Sequence, residues 1–129
     1  MAHFSTEVMD MSTIYKYKVK SYELVLNGGK KRPAGAPWPA ALGLYDDDGQ
    51  IAQLFFHADA STMPEEDTTP VEGDLANRLV KSHFLMSDYQ KVVDLVIGER
   101  PVYCGHIRTP PQVWLTNDAK NLSNPPGRE

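Results

Sequence analysis

From Thr13 the chain alternates: Tyr15, Tyr17 and Val19 are separated by Lys16, Lys18 and Lys20, which is the period of a strand with one apolar and one charged face. The apolar parity then shifts to Tyr22, Leu24 and Leu26. Because strand side chains repeat every two residues, that shift predicts a bulge near Ser21. Residues 27–39, NGGKKRPAGAPWP, are punctuated by glycine and proline and read as a loop. Two strands follow, 40–45 and 50–57, joined by Asp46-Asp47-Asp48-Gly49, where an aspartate before glycine suits a tight hairpin. The second strand carries Ile51, Leu54, Phe55 and Phe56 at both parities, so a place in the interior of the sheet is expected.

Residues 58–74, ADASTMPEEDTTPVEGD, form a long acidic connection with the composition of a mobile loop. A strand is expected over 78–85. Ser87-Asp88-Tyr89-Gln90 has the spacing of a capping box, and Tyr89, Val92, Val93 and Val96 then recur at helical spacing up to Gly98, placed as a left-handed terminator. Strands are expected at 102–107 and 112–116. The fold class is therefore α+β: a mainly antiparallel, twisted sheet of five or six strands, or a partial barrel, with one helix packed on it. Residues 1–12 and 118–129 read as flexible tails around a single domain spanning 13–117.

The chain has 129 residues, of which 41% are hydrophobic and 23% charged, enough for one core without staples. Its one cysteine, Cys104, excludes an intrachain disulfide and an all-cysteine metal site, and fits a reducing, cytoplasmic setting. No apolar run approaches the roughly 20 residues of a membrane span. The net charge of −4 is unevenly spread: 13–39 holds six Lys or Arg against Glu23, and 40–75 holds nine acids and no Lys or Arg. That asymmetry admits a basic binding surface, although overall acidity opposes steering of a polyanion.

The run MSDYQKVVDLVIGERPVY from Met86 to Tyr103, preceded by LVKSHFL and by the Leu44-Tyr45-Asp46 hairpin with Gly49, resembles a group of short bacterial hypothetical proteins. The resemblance implies a strand, a capped helix ending near Gly98 and a strand opening with Pro101-Val102-Tyr103. It implies no activity, cofactor or site residue.

Candidate chemistry is sparse. Placing Gly49 at the sixth position of an EF-hand puts Leu44 and Phe55 where carboxylates are required, so the aspartate cluster fails that grammar. His57 and Asp59 share a strand face, and His106 from another strand could complete a metal site with them. Cys104 and His106 lie about 7 Å apart along one strand, too far for direct proton transfer, and no nucleophile elbow, zinc-protease motif, Walker loop or dinucleotide fingerprint occurs. Gly28-Gly29 with Lys30, Lys31 and Arg32 could receive an anionic ligand. Tyr15 and Tyr17 interleaved with Lys16, Lys18 and Lys20 could bind a single-stranded nucleic acid, though alternation separates rings from charges. Trp38, between two prolines, and Trp114 are candidate anchors for a protein partner. These features favour a non-catalytic binding or accessory protein with a protein partner and no cofactor, ahead of a nucleic-acid or anion binder and of a metal-assisted enzyme.

Overall fold

The parity shift at Ser21 is a change of sheet rather than a bulge. Strand β1 (Tyr15–Lys18) pairs within one sheet; the Val19 amide still donates to the Val102 carbonyl at 2.8 Å, but the next amide, Lys20, donates to the Tyr45 carbonyl of the other sheet at 2.7 Å. Strand β2 (Ser21–Leu26) therefore starts with its apolar face re-aimed. The computed structural model describes residues 13–27, 38–98, 100–118 and 120. Its other elements are β3 (Ala40–Asp46), β4 (Gly49–His57), β5 (Val80–Leu85), α1 (Tyr89–Ile97), β6 (Tyr103–Arg108) and β7 (Pro111–Thr116).

Among the described residues seven strands lie in two sheets, ordered β1-β6-β7 and β2-β3-β4-β5, instead of one sheet of five or six. All pairs are antiparallel except β4 with β5, and no barrel closes. Leu42, Leu44, Leu54, Phe56 and Val80 of the larger sheet meet Cys104 of the smaller one and Val92 and Val96 of the helix in one core. Burial of each large apolar side chain contributes about 1.5–3 kcal/mol. Among the described residues no helix is long and apolar enough to cross a membrane.

The hairpin between β3 and β4 forms as its sequence predicts. Gly49 adopts φ of +137°, the Asp48 amide donates to Asp46 Oδ1 at 2.8 Å, and the Asp46 carboxylate pairs with Arg78. Strand β4 lies inside its sheet, between β3 and β5, as its doubly apolar pattern predicts. The ladder shifts at Leu44/Tyr45, so that Ala52 faces Leu44 and Gln50 faces Tyr45, which leaves Ile51 as the extra residue and lets both Ile51 and Ala52 be buried. Phe55 points away from that core.

Two helix signals are used differently from their usual roles. A 3-10 turn, Met86–Asp88, precedes α1, so Ser87 sits inside a helical turn; Asp88 holds the cap position without a side-chain bond, and Gln90 donates instead to Asp94 at 2.8 Å. Gly98 leaves the helix at φ of −64°, and its lack of a side chain matters because a Cβ there would lie 3.1 Å from the Asp94 carbonyl oxygen.

The acidic connection is tied down rather than mobile. Joining parallel strands β4 and β5 requires a crossover, and this one is bonded along its length. Thr68 and Lys81 exchange amide-carbonyl bonds of 2.8 Å each; Asp67 accepts from the Ser82 hydroxyl at 2.8 Å and from the Val113 amide at 2.9 Å, linking the β5 and β7 edges of the two sheets. Arg108, 5% exposed, donates to the carbonyls of Val71, Asp74 and Asn77 at 3.0, 2.8 and 3.0 Å.

Trp114 is also part of the scaffold. It is only 6% exposed, and its indole lies against Gly105 so closely that a Cβ there would come within 2.6 Å of the ring. Gly105→Ala is expected to destabilise the fold by about 1–3 kcal/mol through overpacking. Urea denaturation checks this, and an unchanged midpoint would mean that the indole is free to slide.

Candidate functional site

The outward face of the larger sheet carries the most developed constellation. The register lays two rows across its strands: Val25, Ala41, Phe55 and His83 in one, Glu23, Gly43, Gln53 and Lys81 in the next. Alternation directs these residues away from the leucine core. Trp38 reaches the same face from just before β3, held by the Asn27 side-chain amide, which donates to the Trp38 carbonyl at 2.8 Å.

Aromatic rings run continuously across this face. Trp38 lies 5.1 Å from Phe55, His83 stacks on Phe55 at 5.4 Å, and His57 lies 5.0 Å from His83. Beside the row the two small residues that β3 turns to this face, Ala41 and Gly43, leave a hollow of about 270 Å³ bordered by Glu23, Trp38, Tyr45, Gln50, Gln53 and Phe55. A Cβ at Gly43 would stand 3.0 Å from the Gln50 amide nitrogen, the end of a flexible side chain that can move aside. Glu23 is exposed, and no ion pair engages it among the described residues. The hollow thus combines an aromatic wall, two primary amides and one carboxylate.

At the end of the row His57, 4% exposed, is fixed from both ring nitrogens. Thr62 Oγ1 donates to the Asp59 carbonyl at 3.2 Å and so accepts from His57 Nδ1 at 3.0 Å; His57 Nε2 then accepts from His83 Nδ1 at 2.9 Å. This assignment of protons follows from the bonding network. Burial lowers the pKa of both rings, and for His83 the neighbouring His57 lowers it further, so both are neutral near pH 7. The hydroxyl proton of Thr62 goes to a carbonyl and not to the imidazole, the reverse of what an activated nucleophile needs.

The proposed metal set does not assemble. His57 meets His83 and Thr62 at the end of the larger sheet, Asp59 caps its own turn by accepting from the Ser61 amide at 2.9 Å, and His106 lies in the smaller sheet under Tyr15 and Tyr17. Among the described residues no group of three or more His, Cys, Asp or Glu could hold a metal ion. His106 is fully buried, its Nε2 accepts from Arg108 Nε at 3.3 Å, and its Nδ1 has no partner. Burial and the adjacent guanidinium push its pKa down to about 4. Cys104 is buried and its thiol is pushed up to about 12, which keeps it protonated and unreactive.

The strand β1 rings are likewise occupied. Tyr15 stacks on His106 at 4.8 Å beneath the Arg108 guanidinium at 4.0 Å and donates to Glu72 at 3.0 Å, while Tyr17 lies 5.7 Å from the Arg78 guanidinium. Lys16 and Lys18 stand exposed on the opposite face, and Lys20 is 4.0 Å from Asp47. Rings and lysines therefore do not form one platform for bases and phosphates. Lys30, Lys31 and Arg32 lie outside the described residues.

Of the residues singled out in the sequence, Trp38 and His57 are brought onto the common face, together with Glu23, Gly43, Gln53, Phe55 and His83, which sequence reading did not assemble. The double parity of β4 marked an interior strand, which it is, but did not tell which face Phe55 takes. No family model, curated protein or solved structure matches this chain, so the geometry of this face stands alone as a guide to what it does.

Proposed function

We propose that this chain is a non-catalytic recognition domain of the cytoplasm that binds a protein partner on the open face of its larger sheet, receiving a basic side chain of that partner in the hollow over Gly43. One observation carries the reading: an exposed carboxylate, Glu23, which no ion pair engages among the described residues, borders a 270 Å³ hollow together with the Trp38 and Phe55 rings. A Lys or Arg side chain is the group that uses all three components. Its aliphatic stem packs on the rings, its cation meets Glu23 and the aromatic faces, and Gln50 and Gln53 accept its remaining N–H groups. Trp38 rises beside a proline at the rim, the placement of a binding anchor.

Selection of random peptides on the wild-type chain, with counter-selection on Trp38→Ala, tests this. Enrichment of sequences with a fixed Arg or Lys is expected, with binding weakened at least tenfold by Trp38→Ala or Glu23→Gln, a loss of more than about 1.4 kcal/mol. Both variants are expected to retain the wild-type melting temperature within a few degrees, because both residues are partly or fully exposed. Enriched peptides without a basic residue, or equal binding by Trp38→Ala, would sink the proposal.

A further inference from the structure

Among the described residues strand β2 pairs on one side only, with β3, and Glu23 is the one charge along this edge. All six of its residues are exposed, including Tyr22 at 49%, Leu24 at 38%, Val25 at 41% and Leu26 at 64%, and it contains no lysine, proline or bulge. Its backbone phase follows from one bond: the Asn27 amide donates to the Pro39 carbonyl at 2.9 Å, so odd-numbered residues turn their backbone groups toward β3. Tyr22, Leu24 and Leu26 consequently turn theirs outward, unsatisfied by the sheet.

We infer that β2 pairs antiparallel with β2 of a second copy of this chain, about a two-fold axis through Leu24, joining two four-stranded sheets into one of eight strands. A two-fold axis normal to the sheet keeps equivalent faces together, so opposed residues share parity. Centring it on Leu24 sets Leu24 against its own copy, Tyr22 against Leu26, and Glu23 against Val25, and it satisfies the outward backbone groups of all three even-numbered residues. Centring it on Glu23 opposes two carboxylates, and centring it on Val25 leaves Tyr22 unpaired. Both the charges and the backbone phase thus select one register. Ile97, 52% exposed, borders the same cleft as Tyr22 and extends the apolar patch. Such a contact buries on the order of 1,000 Å² in total, at the lower limit of specific interfaces, so a weak, reversible dimer is expected.

Sedimentation equilibrium of the full chain up to about 0.5 mM, a range that reaches weak micromolar association, reads the outcome. The wild type is expected to dimerise, and Leu24→Lys and Leu24→Glu are each expected to weaken the dimer at least tenfold while staying folded by circular dichroism. An equimolar mixture of the two is expected to recover a heterodimer, because only a residue on the axis meets its own copy. Leu26→Lys, at a still more exposed position, provides the same loss if a Leu24 variant fails to fold. A wild type that stays monomeric, a dimer indifferent to Leu24→Lys and Leu26→Lys, or a mixture that does not reassociate overturns the inference.

Discussion

Replacing Arg108 by alanine is expected to cost about 3 kcal/mol of stability and to release the connection between β4 and β5. The guanidinium is 5% exposed, and no carboxylate pairs with it among the described residues. Its charge is solvated by the carbonyls of Val71, Asp74 and Asn77, by His106 Nε2 and by the Tyr15 ring. Alanine leaves those acceptors in a space that water fills poorly, and each unsatisfied buried group costs about 1–3 kcal/mol. Lysine has one point charge in place of a planar fork and is expected to recover only part of the loss. Urea denaturation gives the energy, and amide exchange locates it: protection in 68–79 should fall before that of β3 and β4 does. A loss below about 1 kcal/mol would show that the clamp contributes little.

Acidification is expected to remove about 3 kcal/mol between pH 6.5 and about 4, with His106 as the main contributor. The sign follows from its environment. Its folded pKa of about 4 lies below the usual histidine value of 6.5, so within this window the unfolded chain binds the extra proton. The contribution is complete above pH 6.5 and is lost progressively as the pH falls toward 4. His57 and His83 are lowered as well and steepen the same decline. Asp46, held below the usual carboxylate range by the Arg78 hydrogen bond, and Asp59, lowered by its bonds to Ser61, lose their contributions only at more acid pH, so the two processes separate. Unfolding free energies at half-unit steps measure the slope, and His106→Gln should flatten most of it. A wild-type stability unchanged from pH 7 to 4.5 would falsify the assignment.

Local periodicity was sufficient for most of the strands and for the helix. Residues 40–45 and 50–57, with the Asp-Gly turn, became β3 and β4 because a tight turn and two adjacent strands are decided by neighbours in sequence. The same holds for α1, where the apolar stripe is intrinsic to the segment even though the capping side chains took other partners. The α+β class followed from those elements.

Contacts distant in sequence decided the rest. Whether the parity shift at Ser21 meant a bulge or a new sheet depended on Val102 and Tyr45, which accept from adjacent amides on opposite sides. The acidic segment has the composition of a loop, and only Arg108, Asp67 and Lys81 hold it in place. Histidines that share a strand parity with a possible ligand were separated by the partition into two sheets: His57 found His83 on a parallel neighbour, and His106 was buried under tyrosines. The face that carries the hollow is set by register, since Glu23, Gly43 and Gln53 are 20 and 10 residues apart in sequence and become one row only when three strands align. A strand pattern determines which side chains share a face, because that is a property of the backbone period. Which strands lie side by side is determined by the burial and hydrogen bonding of the whole chain, and this protein's candidate chemistry depends on that second choice.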